Sequence, residues 1–224
     1  MKVILFGATG MVGQGVLREC LADSQVRSIL IVGRSLSGVD SPKVREIVRP
    51  DLFDYSDLEN ELTGFDACFF CLGISAAGMS EEAYHRISVD LTLAAAQALT
   101  RLNPEMTFIY LSGAGTDSTE QGRMMWARVK GKAENELLKL PFKAAYMFRP
   151  AYVQPLHGIQ SRTRAYRLLY CLVGPLFPML EALFPRYVTT TERVGLAMLQ
   201  VAKQGYSQPM IENNDINRLA AENR

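Results

Sequence analysis

Three glycines at even spacing, Gly7-Ala-Thr-Gly10-Met-Val-Gly13, stand between an apolar run and an amphipathic one. In that setting they have a chemical use. Glycine lets a backbone turn tightly and approach a pyrophosphate, and the free N–H groups that open a helix then bind the phosphate oxygens with help from the helix dipole. Thr9, Met11 and Val12 complete the turn. A glycine pattern alone is weak evidence; a strand, these glycines and then a helix point to a nucleotide diphosphate.

The second apolar run ends in Gly33-Arg34-Ser35. A site for NAD usually carries a carboxylate there to hold the ribose hydroxyls. A guanidinium and a hydroxyl suit a 2′-phosphate instead, with the planar cation able to stack on adenine. Such a charge-assisted contact is worth about 1.5–3 kcal/mol. This favours NADP(H) over NAD(H); the plainer alternative is a solvated loop arginine.

Other chemistry is sparse. Only His85 and His157 are present, which argues against a histidine-built metal site, and no metal is expected. Cys68-Phe-Phe-Cys71 has the spacing of a redox motif, but on a strand its two thiols face opposite sides. Cys20, Cys68, Cys71 and Cys171 are too few and scattered for a disulfide framework. The apolar run after Met1-Lys2 is too short for an export signal. The expectation is therefore a reduced, cytoplasmic protein.

These residues need a scaffold, and 224 residues at 48% hydrophobic and 21% charged can build one. Twenty-four basic against 23 acidic side chains leave no electrostatic footprint for nucleic acid. Near-continuous apolar runs at Val3–Gly7, Ser28–Gly33, Val44–Asp51, Ala67–Gly73, Met106–Ser112, Ala144–Arg149 and Pro209–Glu212 read as strands covered on both faces. Met11–Asp23, Tyr55–Leu62, Ser80–Leu102, Glu120–Leu140 and Glu192–Lys203 read as helices between them. Asn103-Pro104 and Leu140-Pro141 stop two of these helices. The alternation predicts an α/β fold: a doubly wound, mostly parallel, Rossmann-like sheet with a small C-terminal helical embellishment. Residues 1–224 read as one domain, with 152–190 as a substrate-side or oligomer-contact region.

With these motifs in place the sequence resembles the short-chain dehydrogenase/reductase superfamily in its extended and atypical branches, including sugar-epimerase-like and Tat-interacting, oxidoreductase-like members. The resemblance runs along nearly the whole chain. It implies that Asp51-Leu52 contacts adenine and that Cys71-Leu72-Gly73 runs under the nicotinamide-side ribose. Ile87-Ser88-Val89 stands at the family's Val-Asn-Val, Leu111-Ser112-Gly113 at the strand end that supplies the catalytic serine, and Arg149-Pro150 at the strand leading to the substrate loop. The implied ligands are a nicotinamide dinucleotide and a small-molecule substrate.

One departure stands out. The family's Tyr-x-x-x-Lys pair becomes Trp126-Ala-Arg-Val-Lys130. Lys130 matches the residue that holds the nicotinamide ribose. Trp126 can donate through its indole N–H but cannot release that proton, and loss of a positioned general acid removes about 10²–10⁴ in rate. Tyr152 is the first candidate for a substitute acid, with Ser112 or Ser75 orienting a carbonyl. Tyr84 and Tyr110 read as packing residues, His85 as a surface histidine and His157 as a weak substrate-side candidate. Trp126 itself reads as an apolar lid over the nicotinamide pocket.

Residues 168–185 are nearly all apolar and follow Arg162, Arg164 and Arg167. Pro175, Pro178 and Pro185 break the stretch, against a spanning helix. A basic-then-apolar layout over 162–185 fits a membrane surface. The plainer reading is a pocket wall or a homodimer contact.

Overall fold

In this computed structural model, which describes residues 1–160, 167, 170 and 173–223, the first strand already shows how the core is divided. Along β1 (Lys2–Phe6), Val3 and Leu5 face one apolar layer while Ile4 and Phe6 face the other, and all four are buried. Period-two alternation with both faces apolar requires cover on both sides. Helix α1 (Met11–Ala22) follows, then β2 (Ser28–Gly33), β3 (Val44–Val48) and β4 (Ala67–Phe70). Helix α2 (Glu81–His85) passes through a π-helical turn (Arg86–Asp90) into α3 (Leu91–Leu102). Next come β5 (Thr107–Leu111), α4 (Met125–Leu138), β6 (Ala144–Arg149) and β7 (Tyr152–Gln154). The chain ends with α5 (Phe177–Leu183), β8 (Val188–Thr190), α6 (Thr191–Gln204), β9 (Met210–Glu212) and α7 (Asn213–Glu222).

Seven strands form one parallel sheet in the order β3-β2-β1-β4-β5-β6-β9, and β7 pairs with β8 in a separate parallel ribbon. One layer is built on residues of α1, α6 and α7; the other is built on residues of α3 and α4. The strand order reverses between β1 and β4, and a crevice beyond the carboxyl ends of strands at such a switch point is where α/β sheets bind ligands. Gly7 sits there. Cys68 belongs to one layer and Cys71 packs on the other, as strand alternation requires.

The Rossmann-like α/β fold is as expected; several boundaries are not. Tyr55–Leu62 forms only a 3-10 turn at Ser56–Leu58, because the Asp54 carboxylate accepts the Ser56 N–H and fixes a turn there. The expected Ser80–Leu102 helix runs unbroken from Glu81 to Leu102, with a π-helical turn inside it. Helix α4 starts at Met125, five residues late: the Asp117 carboxylate accepts N–H groups of Thr119 and Gly122, and Glu120 takes φ 61°, which no helix allows. The β7–β8 ribbon and α7 lie outside the expected elements. Helix α7 docks through Asn213 and Asn217, whose amides donate to carbonyls at Pro185, Arg186 and Val188.

Arg162, Arg164, Leu168 and Cys171, on which the expectations about the apolar stretch partly rest, lie outside the described residues. The described part leaves Leu176, Met179, Leu183, Phe184 and Tyr187 exposed. Among the described residues no helix is long and apolar enough to cross a membrane.

Candidate functional site: a contiguous nucleotide cleft

The glycines do what their spacing suggests. Gly7 adopts φ 78°, and a Cβ there would lie 2.6 Å from the backbone of Cys71 and Leu72. The Gly10 N–H donates to the Gly7 carbonyl at 2.9 Å and closes the turn. Gly10 is the N-cap of α1 and has no side chain with which to satisfy the helix's first N–H groups. Met11 and Val12 form the first helical positions, so their N–H groups open towards the crevice. The helix dipole adds partial positive charge at that end.

A cleft of about 430 Å³ opens over this turn, lined by Gly7, Thr9, Gly10, Arg34, Ser35 and the Cys71–Gly73 segment among others. A second, of about 410 Å³, shares Arg34, Leu72 and Gly73 with it and continues between Asp51, Leu52, Phe53, Ile74, Met79 and Ile87. The two form one groove: a polar, backbone-walled half, then an apolar half with room for a base. The residues present fit a dinucleotide, since the cradle requires a bare position 7, where a Cβ would meet the Cys71–Leu72 backbone at 2.6 Å.

Arg34 stands at the junction, exposed, and among the described residues it has no carboxylate partner. Glu46, on the neighbouring strand, is held by the N–H and hydroxyl of Ser37. The Asp51 carboxylate accepts the Phe53 N–H at 2.8 Å and so faces its own turn. Two wall residues were not expected from the sequence. Arg86 lies 5.0 Å over the Phe53 ring, adding a second cation to the apolar half.

Two of the catalytic candidates, Ser112 and Lys130, meet at the end of β5, and neither is among the residues that line the groove. Lys130 Nζ donates to the Ser112 carbonyl at 2.5 Å and sits 5.9 Å over the Tyr110 ring. Burial pushes its ammonium down to about 8, with Glu134, one helical turn on, pulling the other way. Ser112 is buried, and its hydroxyl donates to Glu134 Oε1. In this structure that hydroxyl is committed to partners inside the protein, Glu134 and the Phe148 carbonyl. Glu134, fully buried, also takes two bonds from Arg149, whose guanidinium reaches Ser118 and Glu212. Pro150 is buried and its carbonyl accepts the Ala114 N–H.

Tyr152 lies in β7, where its hydroxyl donates to Gln154 at 2.7 Å and its ring packs 5.6 Å from that of Tyr170. Burial raises its pKa, and it lines neither half of the groove. Trp126 packs its indole on the glycine turn at Gly115 and against the α3–α4 layer. His157 is tied to Glu192 at 2.7 Å, and His85 to Asp90. Tyr110 is core; Tyr84 is buried beside it.

Comparison with known proteins agrees with this geometry. A protein-family profile described as NAD(P)H-binding matches residues 7–140. Protein FMP52-2, mitochondrial, of Scheffersomyces stipitis is 32% identical over 149 residues, covering 65% of this chain and 63% of that protein. Protein HTATIP2 of Rattus norvegicus is 25% identical over 152 residues, covering 66% of this chain and 61% of that protein. The match thus spans less than two thirds of either relative's length. Among solved structures, the Bordetella bronchiseptica enzyme WbmF in complex with NAD+ superposes with a TM-score of 0.67 over 99% of this chain and 77% of its own, at 16% identity. That identity speaks for the fold alone. The expectation of a cytoplasmic protein is overturned: several relatives are named as mitochondrial.

Proposed function

Since the chain belongs to the NAD(P)H-binding family and is an atypical short-chain dehydrogenase/reductase, we propose that it is an NADP(H)-binding, oxidoreductase-like protein acting on a small carbonyl-type substrate. The observation that carries this is the groove itself, which runs from the start of α1, with no side-chain cap, to Arg34, which has no carboxylate partner among the described residues. The N–H groups at Gly10, Met11 and Val12 would hold the pyrophosphate, with Arg34 and Ser35 on the 2′-phosphate. The apolar half at Leu52, Ile74 and Met79, with the Asp51 backbone, would take adenine. Cys71–Gly73 and Lys130 would hold the nicotinamide-side ribose. A bound nicotinamide dinucleotide supplies a hydride donor or acceptor. The protein's own task is to seat it and present a substrate from the 152–190 side.

A second reading is a non-catalytic NADP(H)-binding protein, which Trp126 at the family's tyrosine position favours. Nucleotide-sugar epimerisation is a third, weaker because that chemistry also uses the tyrosine. A carbonyl panel run with NADPH on the natural protein and on Trp126→Tyr separates them. Turnover by the natural protein supports the enzyme; turnover by the variant alone supports the binding protein and overturns the enzyme.

A further inference from the structure

A purine that enters an apolar cavity loses hydrogen bonds to water, and each buried acceptor left unpaired costs about tenfold or more in affinity. Among the described residues that line the apolar half of the groove, two side chains carry N–H donors, Arg34 and Arg86. Arg34 also lines the polar half, whereas Arg86 lines the apolar half alone. Arg86 opens the π-helical turn, and a neighbouring cleft of about 460 Å³ sets it beside Glu82, His85 and Asp90. No carboxylate there takes it: Asp90 stands 3.2 Å from His85, and among the described residues Arg86 forms no ion pair. A ring holds it instead. Its guanidinium lies 5.0 Å over Phe53. Phe53 in turn is fixed by the N–H it donates to the Asp51 carboxylate at 2.8 Å, which closes an Asx turn.

Stacking engages the face of a guanidinium and leaves its N–H edge free to donate. From this placement we propose that Arg86 is the residue that reads the coenzyme's base: it donates to ring nitrogen N1 of adenine, beside the exocyclic amine. The inference rests on the NADP(H) reading above and deepens it. Arg34 distinguishes the 2′-phosphate, and Arg86 distinguishes the base. Hypoxanthine is the informative competitor. It has nearly the shape of adenine, but its N1 carries a hydrogen, so the arginine would meet a donor where it needs an acceptor. Both groups would then sit in the apolar half without a partner, and a site rejects an analogue most strongly when its own polar groups are left unpaired. An arginine has five N–H donors and no acceptor, so it cannot turn to suit the second base.

The test uses the full chain and three ligands titrated by calorimetry: NADPH, NADH and reduced nicotinamide hypoxanthine dinucleotide phosphate. Melting curves confirm folding, which an exposed residue such as Arg86 does not govern. Arg86→Met keeps an apolar stem on Phe53 and removes the donors; Arg86→Gln offers an amide that can donate or accept. The natural protein should bind NADPH at least about tenfold tighter than the hypoxanthine analogue. Arg86→Met should lose about tenfold for NADPH and for NADH alike, and less than about threefold for the analogue. Arg86→Gln should bind the two bases within about threefold of each other. Equal losses for both bases in Arg86→Met, a loss for NADPH that NADH does not share, or a natural protein that binds the two bases alike would overturn the proposal while leaving NADPH binding intact. A natural protein that binds no NADPH would overturn the coenzyme reading, and this inference with it.

Discussion

A Cβ built on Gly13 would lie 2.0 Å from the Gly7 carbonyl oxygen. The start of α1 can therefore sit against the first strand's turn only while position 13 is bare. The obstacle is backbone, which cannot swing aside as a side chain would. Gly13→Ala must push α1 away from the turn that cradles the pyrophosphate. The expected outcome is a drop in melting temperature of several degrees and a loss of NADPH binding of at least about tenfold, read by thermal melts and calorimetry. A variant with natural affinity would show that the turn does not hold phosphate.

Arg34 belongs to both halves of the groove and has no carboxylate partner among the described residues. Arg34→Ala should weaken NADPH about ten- to hundredfold, in line with about 1.5–3 kcal/mol for a charge-assisted contact, and leave NADH within a few-fold. Paired titrations of both coenzymes check this. Equal losses would mean that the arginine does not read the 2′-phosphate.

Glu134 in α4 and Arg149 at the end of β6 form a buried pair. Removing one partner leaves a charge without compensation, which costs about 3–5 kcal/mol, whereas replacing both by apolar side chains costs far less. Glu134→Leu or Arg149→Met alone should shift the urea midpoint down strongly. The double variant should be more stable than either single one. Additive losses would show that the two side chains do not act as a pair.

Lys130, brought down to about 8 by burial, makes NADPH binding depend on pH. The ammonium attracts an anionic ligand and the neutral amine does not. Affinity should therefore hold between pH 7 and 7.5 and decline as pH rises through about 8, by at most tenfold per pH unit. In Lys130→Met the profile above pH 7 should be flat. A natural protein with a flat profile to pH 9.5 would contradict the lysine's place at the ribose.

Much of this was legible in the residues. The five inner strands of the sheet stand where runs such as Ile29–Val32 and Phe108–Tyr110 put them, because strands covered on both faces leave an unbroken apolar signal. The groove's polar half was legible too, since each of its residues sits in a short segment next to a strand end. What stayed hidden was nonlocal. The ribbon of Tyr152–Gln154 with Val188–Thr190 has three residues a side, too few to show a period. Helix α7 opens with Asn213-Asn-Asp, which resembles a turn, although Asn213, Ile216 and Leu219 are buried at helical spacing. Nothing in the sequence joins Ser112 to its partner Glu134, which is 22 residues away and looks like any surface glutamate. Its only signal was its place one turn after Lys130, on the same face as the buried Ala133 and Leu137.

Everything here turns on whether a nicotinamide dinucleotide docks at the start of α1. Isothermal titration of the purified natural protein with NADPH and with NADH measures this directly. The expected result is saturable binding at one site per chain, tighter for NADPH. No saturable heat from either coenzyme would contradict the account.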